Sequence, residues 1–203
     1  MIDFITFCDY TGTFAFAISG IRLASAKQFD WFGAYVVGVV TAVGGGTIRD
    51  ILLNATPFWM EQDSYLIISA LALLFVIIFR KYVISLNNTF FIFDAIGLGL
   101  FGVVGIEKAL TFGFPMWVAI VMGTITGAFG GMIRDILINE VPLIFRKDIY
   151  ALACVFGGII YYACLQMGIG PSLTQLIAAT GIFVSRIVAV KYHISVPVLK
   201  GEE

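Results

Sequence analysis

Residues 38–57 read GVVTAVGGGTIRDILLNATP, and residues 123–142 read GTITGAFGGMIRDILINEVP. Eleven of these 20 aligned positions are identical, and they include the glycine pairs and the Arg-Asp pairs. The correspondence continues outside this stretch at the same spacing of 85 residues, joining Asp9 with Asp94, Gly12 with Gly97, Gly20 with Gly105, Asp63 with Asp148, and Tyr65 with Tyr150. A glycine run beside an Arg-Asp pair, set in apolar sequence and used twice, indicates a membrane pathway built from two related halves.

The composition indicates a membrane protein. The chain has 203 residues, of which 60% are hydrophobic and 12% charged, and its mean hydropathy is +1.01. Soluble domains carry about twice that charged fraction, so the bilayer is the expected solvent. The net charge of −1 favours no nucleic-acid partner. Cys8, Cys154 and Cys164 have no metal-ligand spacing, and no nucleophile–base pair is visible. We therefore expect no enzyme activity, no cofactor and no metal beyond transient K⁺.

Seven segments are apolar and long enough to cross a bilayer, which requires roughly 20 residues. They cover about 7–25, 32–54, 65–84, 90–109, 116–139, 149–167 and 173–192. The first of them lacks a preceding basic stretch, so we expect a retained helix and not a cleaved signal peptide. Turn or charge signals separate the segments, and no long polar insertion interrupts them. The sequence predicts one all-α transmembrane domain over residues 1–203.

The repeat predicts an inverted architecture. Its two copies cover about 7–84 and 90–167, which is three helices each, and helix seven at about 173–192 lies outside the repeat. Because three is odd, the second copy begins on the opposite side of the membrane from the first. The two halves are then inverted relative to each other, as in many transporters. The predicted fold is an inverted 3+3 repeat followed by one C-terminal helix.

The distribution of basic residues predicts the orientation. One set of connections and the tail hold most of them, namely Lys27, Arg80, Lys81, Arg146, Lys147, Lys191 and Lys200. The opposite connections hold only Lys108. Basic residues favour the cytoplasmic side. We expect an integral protein of a prokaryotic inner membrane, with its N-terminus outside and its C-terminus in the cytoplasm.

Glycines occupy the middle of helices two and five. Helix two contains Gly44, Gly45 and Gly46, and helix five contains Gly130 and Gly131. Such runs favour a kinked or unwound helix whose freed carbonyls line a cavity and bind a passing cation. The alternative is close packing of small residues between helices.

Threonines precede both glycine runs by about one turn. The hydroxyls of Thr41 and Thr126 could line the same path, or they could bond to the helix backbone four residues earlier.

The repeated arginines are costly inside a membrane and need a partner or water. Arg49 is expected in the outer half of helix two, and Arg134 in the inner half of helix five. Asp9 and Asp94 begin helices one and four at the matching levels, so we predict that Asp9 approaches Arg49 and Asp94 approaches Arg134. Asp50 and Asp135 directly follow the two arginines in the sequence and are further expected partners. These charges either gate the path or staple helices together.

The motifs GGGTIRDILLN and GGMIRDILIN, in a seven-helix chain with an inverted repeat, resemble the prokaryotic trimeric intracellular cation (TRIC) channels. The resemblance covers essentially the whole chain. It implies a homotrimer with a K⁺ pore in each subunit, bounded by kinked helices two and five. Phe129 stands where the first copy has Gly44, so the second copy departs from three glycines. Membrane lipid is an expected partner. The Lys-Glu pair that is linked to lipid binding in the animal members has no equivalent here after Gly131, so phosphoinositide regulation is not expected from the resemblance.

Two functions remain open from the sequence. A K⁺ channel requires the arginines to be paired, displaced or used as a gate, because a free arginine repels cations. A secondary transporter of a small zwitterion such as glycine could instead use Arg49 and Arg134 to bind a carboxylate. The same bacterial family includes proposed glycine transporters. A purely structural membrane protein is the third possibility, and paired buried charges make it less attractive.

Overall fold

The computed structural model describes residues 4–83 and 89–197. Nine α-helices lie within these residues: α1 Phe4–Ala26, α2 Trp31–Leu52, α3 Phe58–Glu61, α4 Ser64–Ile78, α5 Arg80–Val83, α6 Thr89–Thr111, α7 Met116–Leu137, α8 Ala151–Gln166 and α9 Pro171–Lys191. A 3-10 turn, Leu143–Phe145, follows α7. In this described part the only β pairing is an isolated bridge between Asp148 and Ser195. The all-α class is confirmed.

Five helices are long and apolar enough to cross a membrane, namely α1, α2, α6, α7 and α9. The apolar helices α4 and α8 have only 15 and 16 residues, which is short of the roughly 20 that a bilayer core requires. Large apolar side chains face outward around the bundle, among them Trp31, Phe32, Ile78, Trp117 and Met167. An apolar exterior over long apolar helices is the surface of a membrane protein.

The predicted segments match the helices to within a few residues except at the third. That segment was expected to reach residue 84, but α4 ends at Ile78 and the Phe79 N–H bonds the Phe75 carbonyl at 2.9 Å. The basic residues Arg80 and Lys81 then start the separate turn α5. The short helix α3 and the 3-10 turn were not predicted, because neither is long enough to show a hydrophobic period. Residue 84, residues 1–3 and the tail with Lys200 lie outside the described residues.

Helices α1, α2, α6 and α7 form the centre of the bundle. α1 packs on α2 and α6, and α7 packs on α2 and α6. α4 lies against α1 and α2, whereas α8 and α9 lie against each other and against α6. The two helices that carry the repeated motif, α2 and α7, are therefore in direct contact inside the bundle.

Both motif helices end in the same way. Asn54 follows α2 with φ 55°, and Asn139 follows α7 with φ 57°, a left-handed conformation that asparagine tolerates better than most residues. The reversal lets Ala55 N bond the Asp50 carbonyl and Glu140 N bond the Asp135 carbonyl, both at 2.8 Å. The chain consequently turns back over the end of each helix, next to its Arg-Asp pair.

Candidate functional site

The glycines let the backbones of α2 and α7 contact each other directly where the two helices cross. A Cβ on Gly45 would collide with the Thr126 carbonyl oxygen, and a Cβ on Gly130 would collide with the Thr41 carbonyl oxygen. Both helices are unbroken α-helix through these residues. The helices are therefore not unwound at Gly44–Gly46 or Gly130–Gly131, whereas a kink at these glycines stays a prediction. The glycines provide a close crossing of the two helices.

The two threonines bond to their own helices. Thr41 Oγ1 donates to the Val37 carbonyl and Thr126 Oγ1 to the Met122 carbonyl, each at 2.6 Å. Of the two roles considered for these hydroxyls, the structure has the backbone bond four residues earlier. Their backbone carbonyls, not their hydroxyls, face the opposite helix.

Asp94, Arg134, Asp135 and Tyr150 lie together and are called the Asp94 cluster. Arg134 Nη1 contacts Asp94 Oδ1 at 2.5 Å and the Ser19 hydroxyl at 2.8 Å. Arg134 also reaches Asp135, with its Nε 2.9 Å from Oδ1. All three charged side chains are buried. The predicted approach of Asp94 to Arg134 is thus a direct ion pair, and one guanidinium is held by two carboxylates.

Asp9, Arg49, Asp50 and Tyr65 form the corresponding Asp9 cluster. Arg49 pairs with its neighbour Asp50, at 2.8 Å from Nε to Oδ1, and its guanidinium lies 5.6 Å from the Phe58 ring centre. Asp9 Oδ2 instead accepts a hydrogen bond from the Tyr65 hydroxyl at 2.6 Å. Asp9 and Arg49 line the same small void but form no ion pair within the described residues. Asp9 therefore approaches Arg49 as predicted, but the two form no ion pair, because each side chain contacts a different neighbour.

Each cluster is anchored to the chain that turns back over its helix. Asp50 Oδ2 accepts from Phe58 N, and Asp135 Oδ2 accepts from Leu143 N, both at 2.9 Å. These bonds satisfy the second carboxylate oxygen of each Arg-Asp pair. They explain why α3 and the 3-10 turn, invisible to the periodicity, are held where they are.

The two clusters lie near opposite ends of the bundle. Helix α6 places Asp94 in one of them, and fourteen residues later its Lys108 Nζ lies 2.9 Å from Asp50 Oδ1 in the other. At about 1.5 Å of rise per residue, these positions are about 21 Å apart along the helix. The buried rings of Phe16 and Phe101 meet edge to face between α1 and α6, with centroids 5.2 Å apart.

The space around the two clusters differs. The void between Asp9, Gly46, Arg49 and Phe58 has no room for a water molecule. At the Asp94 cluster, a cavity of about 190 Å³ reaches Arg134 and Asp135 and is also lined by Lys27, Glu140 and Arg146. The two clusters therefore differ in the cavity space beside them, and they also differ in burial, since Asp9 is partly exposed whereas Asp94 and Arg134 are buried.

Exposed ion pairs border the mouth of this cavity. Glu140 lies between Lys27, at 2.7 Å, and Arg146, at 3.5 Å. The hydrogen bond and charge of Lys27 lower the pKa of the Glu140 carboxyl below its usual value. Glu140 therefore stays ionised at neutral pH and links the α1–α2 connection to the segment after α7.

Several site residues escaped the sequence reasoning. Lys108 had been counted as a connection charge, and Tyr65 and Tyr150 had been noted only as aligned positions. Arg186 is buried: its Nη1 donates to the Ile149 carbonyl at 2.6 Å, and its guanidinium lies 4.9 Å from the Tyr150 ring centre. The repeat alignment could have identified Tyr65 and Tyr150 as site residues, whereas the roles of Lys108 and Arg186 are visible only from the packing.

Glu107 belongs to a separate polar contact. Its Oε1 accepts from the Tyr161 hydroxyl of α8 and from Gln175 Nε2 of α9. Tyr161 and Gln175 are buried, so this contact ties α9 to α6 and α8. In the described ranges no group of three His, Cys, Asp or Glu side chains could hold a metal ion.

Comparison with known proteins agrees with this geometry. A family model described as glycine transporter matches residues 6–81 and again residues 91–166, which are segments offset by 85 residues. A UPF0126 membrane protein of Vibrio cholerae is 41% identical over 93% of this chain and 80% of its own length. The inner membrane protein YadS of Escherichia coli K12 is 36% identical over 96% of each chain.

Solved structures of high similarity are channels and not enzymes. The TRIC trimeric intracellular cation channel orthologue from Rhodobacter sphaeroides superposes with a TM-score of 0.88 and 35% identity, over 94% of this chain and 98% of that one. A prokaryotic TRIC channel solved in 0.5 M KCl gives 0.87 and 33% identity, over 97% and 100%. The chain is a membrane protein and belongs to the glycine transporter (UPF0126) family, whose solved relatives are the prokaryotic TRIC channels.

Proposed function

We propose that this protein is a K⁺ channel with a pore in each subunit, running along the crossing of α2 and α7 between the two clusters. The observation that carries this proposal is that both motif arginines already hold carboxylates. Arg49 contacts Asp50 and Arg134 contacts Asp94 and Asp135. Neither motif arginine is therefore free, which is a condition that cation permeation imposes on them.

The carboxylates of both clusters also match the cations beside them. Asp94 and Asp135 lie with Arg134 and with Arg186, which covers the Tyr150 ring, and Asp50 is shared by Arg49 and Lys108. A carboxylate solute would have to displace Asp94 or Asp135 from Arg134 before it could bind.

The architecture that we propose for this path has seven crossings. The helices α4 and α8 complete the three-helix halves at 15 and 16 residues, and α9 follows as the seventh. The two halves are inverted within one domain over residues 1–203, and the N-terminus lies outside the cell. In the described structure the Phe16 and Phe101 rings are in contact and the void at the Asp9 cluster is too small for water. Conduction requires these contacts to separate.

The partners follow from the relatives and the surface. Trimeric assembly of the channel relatives supports a homotrimer. A groove of about 410 Å³ between α1, α2 and α4 is lined by Leu73, Val76 and Ile77 and ends at Arg80, which suits a lipid chain with its headgroup at the arginine. Neither a resident metal nor a cofactor is part of this function.

Single-channel recording in planar bilayers tests the channel. With a KCl gradient across the bilayer, we expect discrete currents that reverse near the K⁺ equilibrium potential. Asp50→Asn removes the carboxylate that Arg49 and Lys108 share, and the freed positive charge should reduce K⁺ conductance by at least about tenfold. A unit charge about 8 Å away contributes about 2 kcal/mol at an effective dielectric near 20.

The matched control is Asp63→Asn, which removes an exposed carboxylate without a side-chain capping bond. We expect the conductance of this variant to change by less than about twofold, since exposed charges are screened. Equal conductance in both variants, or currents carried mainly by Cl⁻, would contradict a cation path at the Asp9 cluster.

The second candidate is a glycine transporter, which the description of the matching family model favours. Proteoliposomes separate the two candidates. Saturable uptake of labelled glycine without single-channel currents would support the transporter, whereas currents without glycine uptake would support the channel.

A further inference from the structure

The Asp9 and Asp94 clusters are built from the same parts. Their members correspond one to one at a spacing of 85 residues: Asp9 with Asp94, Arg49 with Arg134, Asp50 with Asp135, and Tyr65 with Tyr150. The arginine Nε contacts the adjacent aspartate at 2.8 Å in one and 2.9 Å in the other. The second oxygen of that aspartate accepts the same kind of backbone N–H in both.

The remaining bonds differ in the two clusters. In the Asp9 cluster the aspartate accepts from tyrosine, since Tyr65 donates to Asp9. In the Asp94 cluster the aspartate pairs with Arg134, and the buried Tyr150 hydroxyl and Asp94 Oδ2 have no hydrogen-bond partner among the described residues. The structure therefore displays two arrangements of one set of side chains, one in which aspartate holds tyrosine and one in which it holds arginine.

The space beside the two arrangements differs. Asp9, which is held by tyrosine, borders a void too small for water, whereas Arg134 and Asp135 of the other cluster line the 190 Å³ cavity. A buried hydroxyl left without a partner costs free energy. The unpartnered Tyr150 hydroxyl is thus poised to recapture Asp94.

We infer that each aspartate exchanges its partner between tyrosine and arginine, and that this exchange closes and opens the end of the path at which it lies. Tyr65 and Tyr150 are the positioning residues of this exchange: they hold the aspartate in the closed arrangement and do not touch the permeating ion. The inference rests on the proposed path, because it concerns how the two ends of that path open.

Neighbouring residues that break the repeat explain why the clusters differ. The Ser19 hydroxyl accepts a hydrogen bond from Arg134 at 2.8 Å, which holds this guanidinium beside Asp94. The residue 85 positions later is Val104, which has no hydroxyl to offer Arg49. The Asp94 cluster is therefore biased toward the arginine-held arrangement and the Asp9 cluster toward the tyrosine-held one.

Thiol accessibility tests the exchange without requiring any current. The reporter is Ala42→Cys, which lies in the void at the Asp9 cluster, in a background where Cys8, Cys154 and Cys164 are changed to alanine. The protein is placed in lipid nanodiscs, so that a charged, membrane-impermeant methanethiosulfonate meets both faces. Tyr65→Phe should raise the modification rate at this reporter about tenfold, which is the effect of about 1.4 kcal/mol on a two-state equilibrium.

Three variants make the test specific. Val104→Ser supplies the hydroxyl that the Asp9 cluster lacks and should also raise the rate. Adding Asp9→Asn to Tyr65→Phe should reverse the increase, because arginine no longer has a charged partner to hold. Tyr10 packs against Tyr65, and its hydroxyl bonds Gln62 and Ser64 and not Asp9. Tyr10→Phe removes this hydroxyl and should leave the modification rate within about twofold.

The outcomes separate this inference from the channel proposal. An unchanged rate in both Tyr65→Phe and Val104→Ser, with melting temperatures showing folded protein, would overturn the exchange even if K⁺ currents are present. An increased rate without K⁺ currents would leave the exchange standing and remove the channel. If Tyr65→Phe does not fold, Val104→Ser alone decides, since it leaves the Asp9–Tyr65 bond available.

Discussion

At the scale of single residues, each buried motif arginine is stabilised by contact with one or two carboxylates. Arg134 has two acidic partners and is fully buried with both of them nearby. Asp9, in contrast, is held by a tyrosine hydroxyl. Removing one member of a buried ion pair costs about 3–5 kcal/mol, whereas losing a single hydrogen bond to a charged group costs about 1.5–3 kcal/mol. Equivalent positions of the repeat should therefore differ in their sensitivity to substitution.

Asp94→Asn should destabilise the protein by about 3 kcal/mol, because Arg134 keeps Asp135 but loses its second carboxylate. The measurement is thermal unfolding in detergent, followed by the fraction that remains monodisperse on size exclusion.

Asp9→Asn is the matched control, because its asparagine can still accept from Tyr65. We expect a loss of about 1 kcal/mol or less. Equal losses at the two positions would show that the ion pair at Asp94 contributes nothing beyond a hydrogen bond.

The partner of each charge was only partly predictable from sequence. The expected membrane levels brought each aspartate near its arginine, but only Asp94 and Arg134 form an ion pair. The depth of a residue in the membrane limits which charged side chains can come together. Which of these neighbours form an ion pair depends on the length and direction of their side chains. Lys108 reaches Asp50 from another helix, a contact that no pattern within either helix encodes.

At the scale of helices, the repeated glycines set the distance between α2 and α7. Sequence reasoning placed these helices and their glycine-rich centres, since a long apolar run requires only a count. It could not decide between a bend and a close crossing, because glycine permits both. The unbroken helices and the facing carbonyls of Thr41 and Thr126 favour the crossing.

Alanine substitutions should reveal a graded cost. Gly45→Ala and Gly130→Ala each drive a methyl group into a backbone carbonyl, so we expect losses of about 1–3 kcal/mol, as overpacking commonly costs. Gly44→Ala meets only the end of the Ile133 side chain at 3.1 Å and should cost less. Melting temperatures measured in one detergent compare the series.

Gly170→Ala is the control for this series, because nothing lies within 4 Å of its added methyl group and its φ is −61°. Its melting temperature should match that of the unchanged protein. A stability gain at Gly45 or Gly130 would instead indicate that the glycines serve flexibility, since alanine favours the helix.

At the scale of the whole molecule, the fold follows from the apolar runs and their repetition, and its class was predictable for that reason. Elements that the runs do not specify, such as α3 and the 3-10 turn, were not. They are held by the carboxylates of Asp50 and Asp135, so their position depends on tertiary bonds and not on local periodicity.

The orientation in the membrane is a prediction for the whole chain. Basic residues near Lys27, Arg80 and Arg146 should lie in the cytoplasm together with the C-terminus. A green fluorescent protein fused to the C-terminus should fluoresce, and alkaline phosphatase fused at the same point should be inactive. The opposite pair of results would place the C-terminus outside and reverse both ends of the proposed path.

The adjacency of arginine and aspartate has a consequence for biogenesis. A lone charge at the centre of a membrane helix adds about 2.5–3.5 kcal/mol to the cost of insertion. In α2 and α7 the counter-charge is the next residue, and the Arg49–Asp50 and Arg134–Asp135 contacts form within one helix. Each helix can therefore leave the translocon with its charge already compensated, before any neighbouring helix has been synthesised. Asp94 has no basic residue next to it, so its charge stays uncompensated until Arg134, which lies forty residues later in the sequence, has been synthesised.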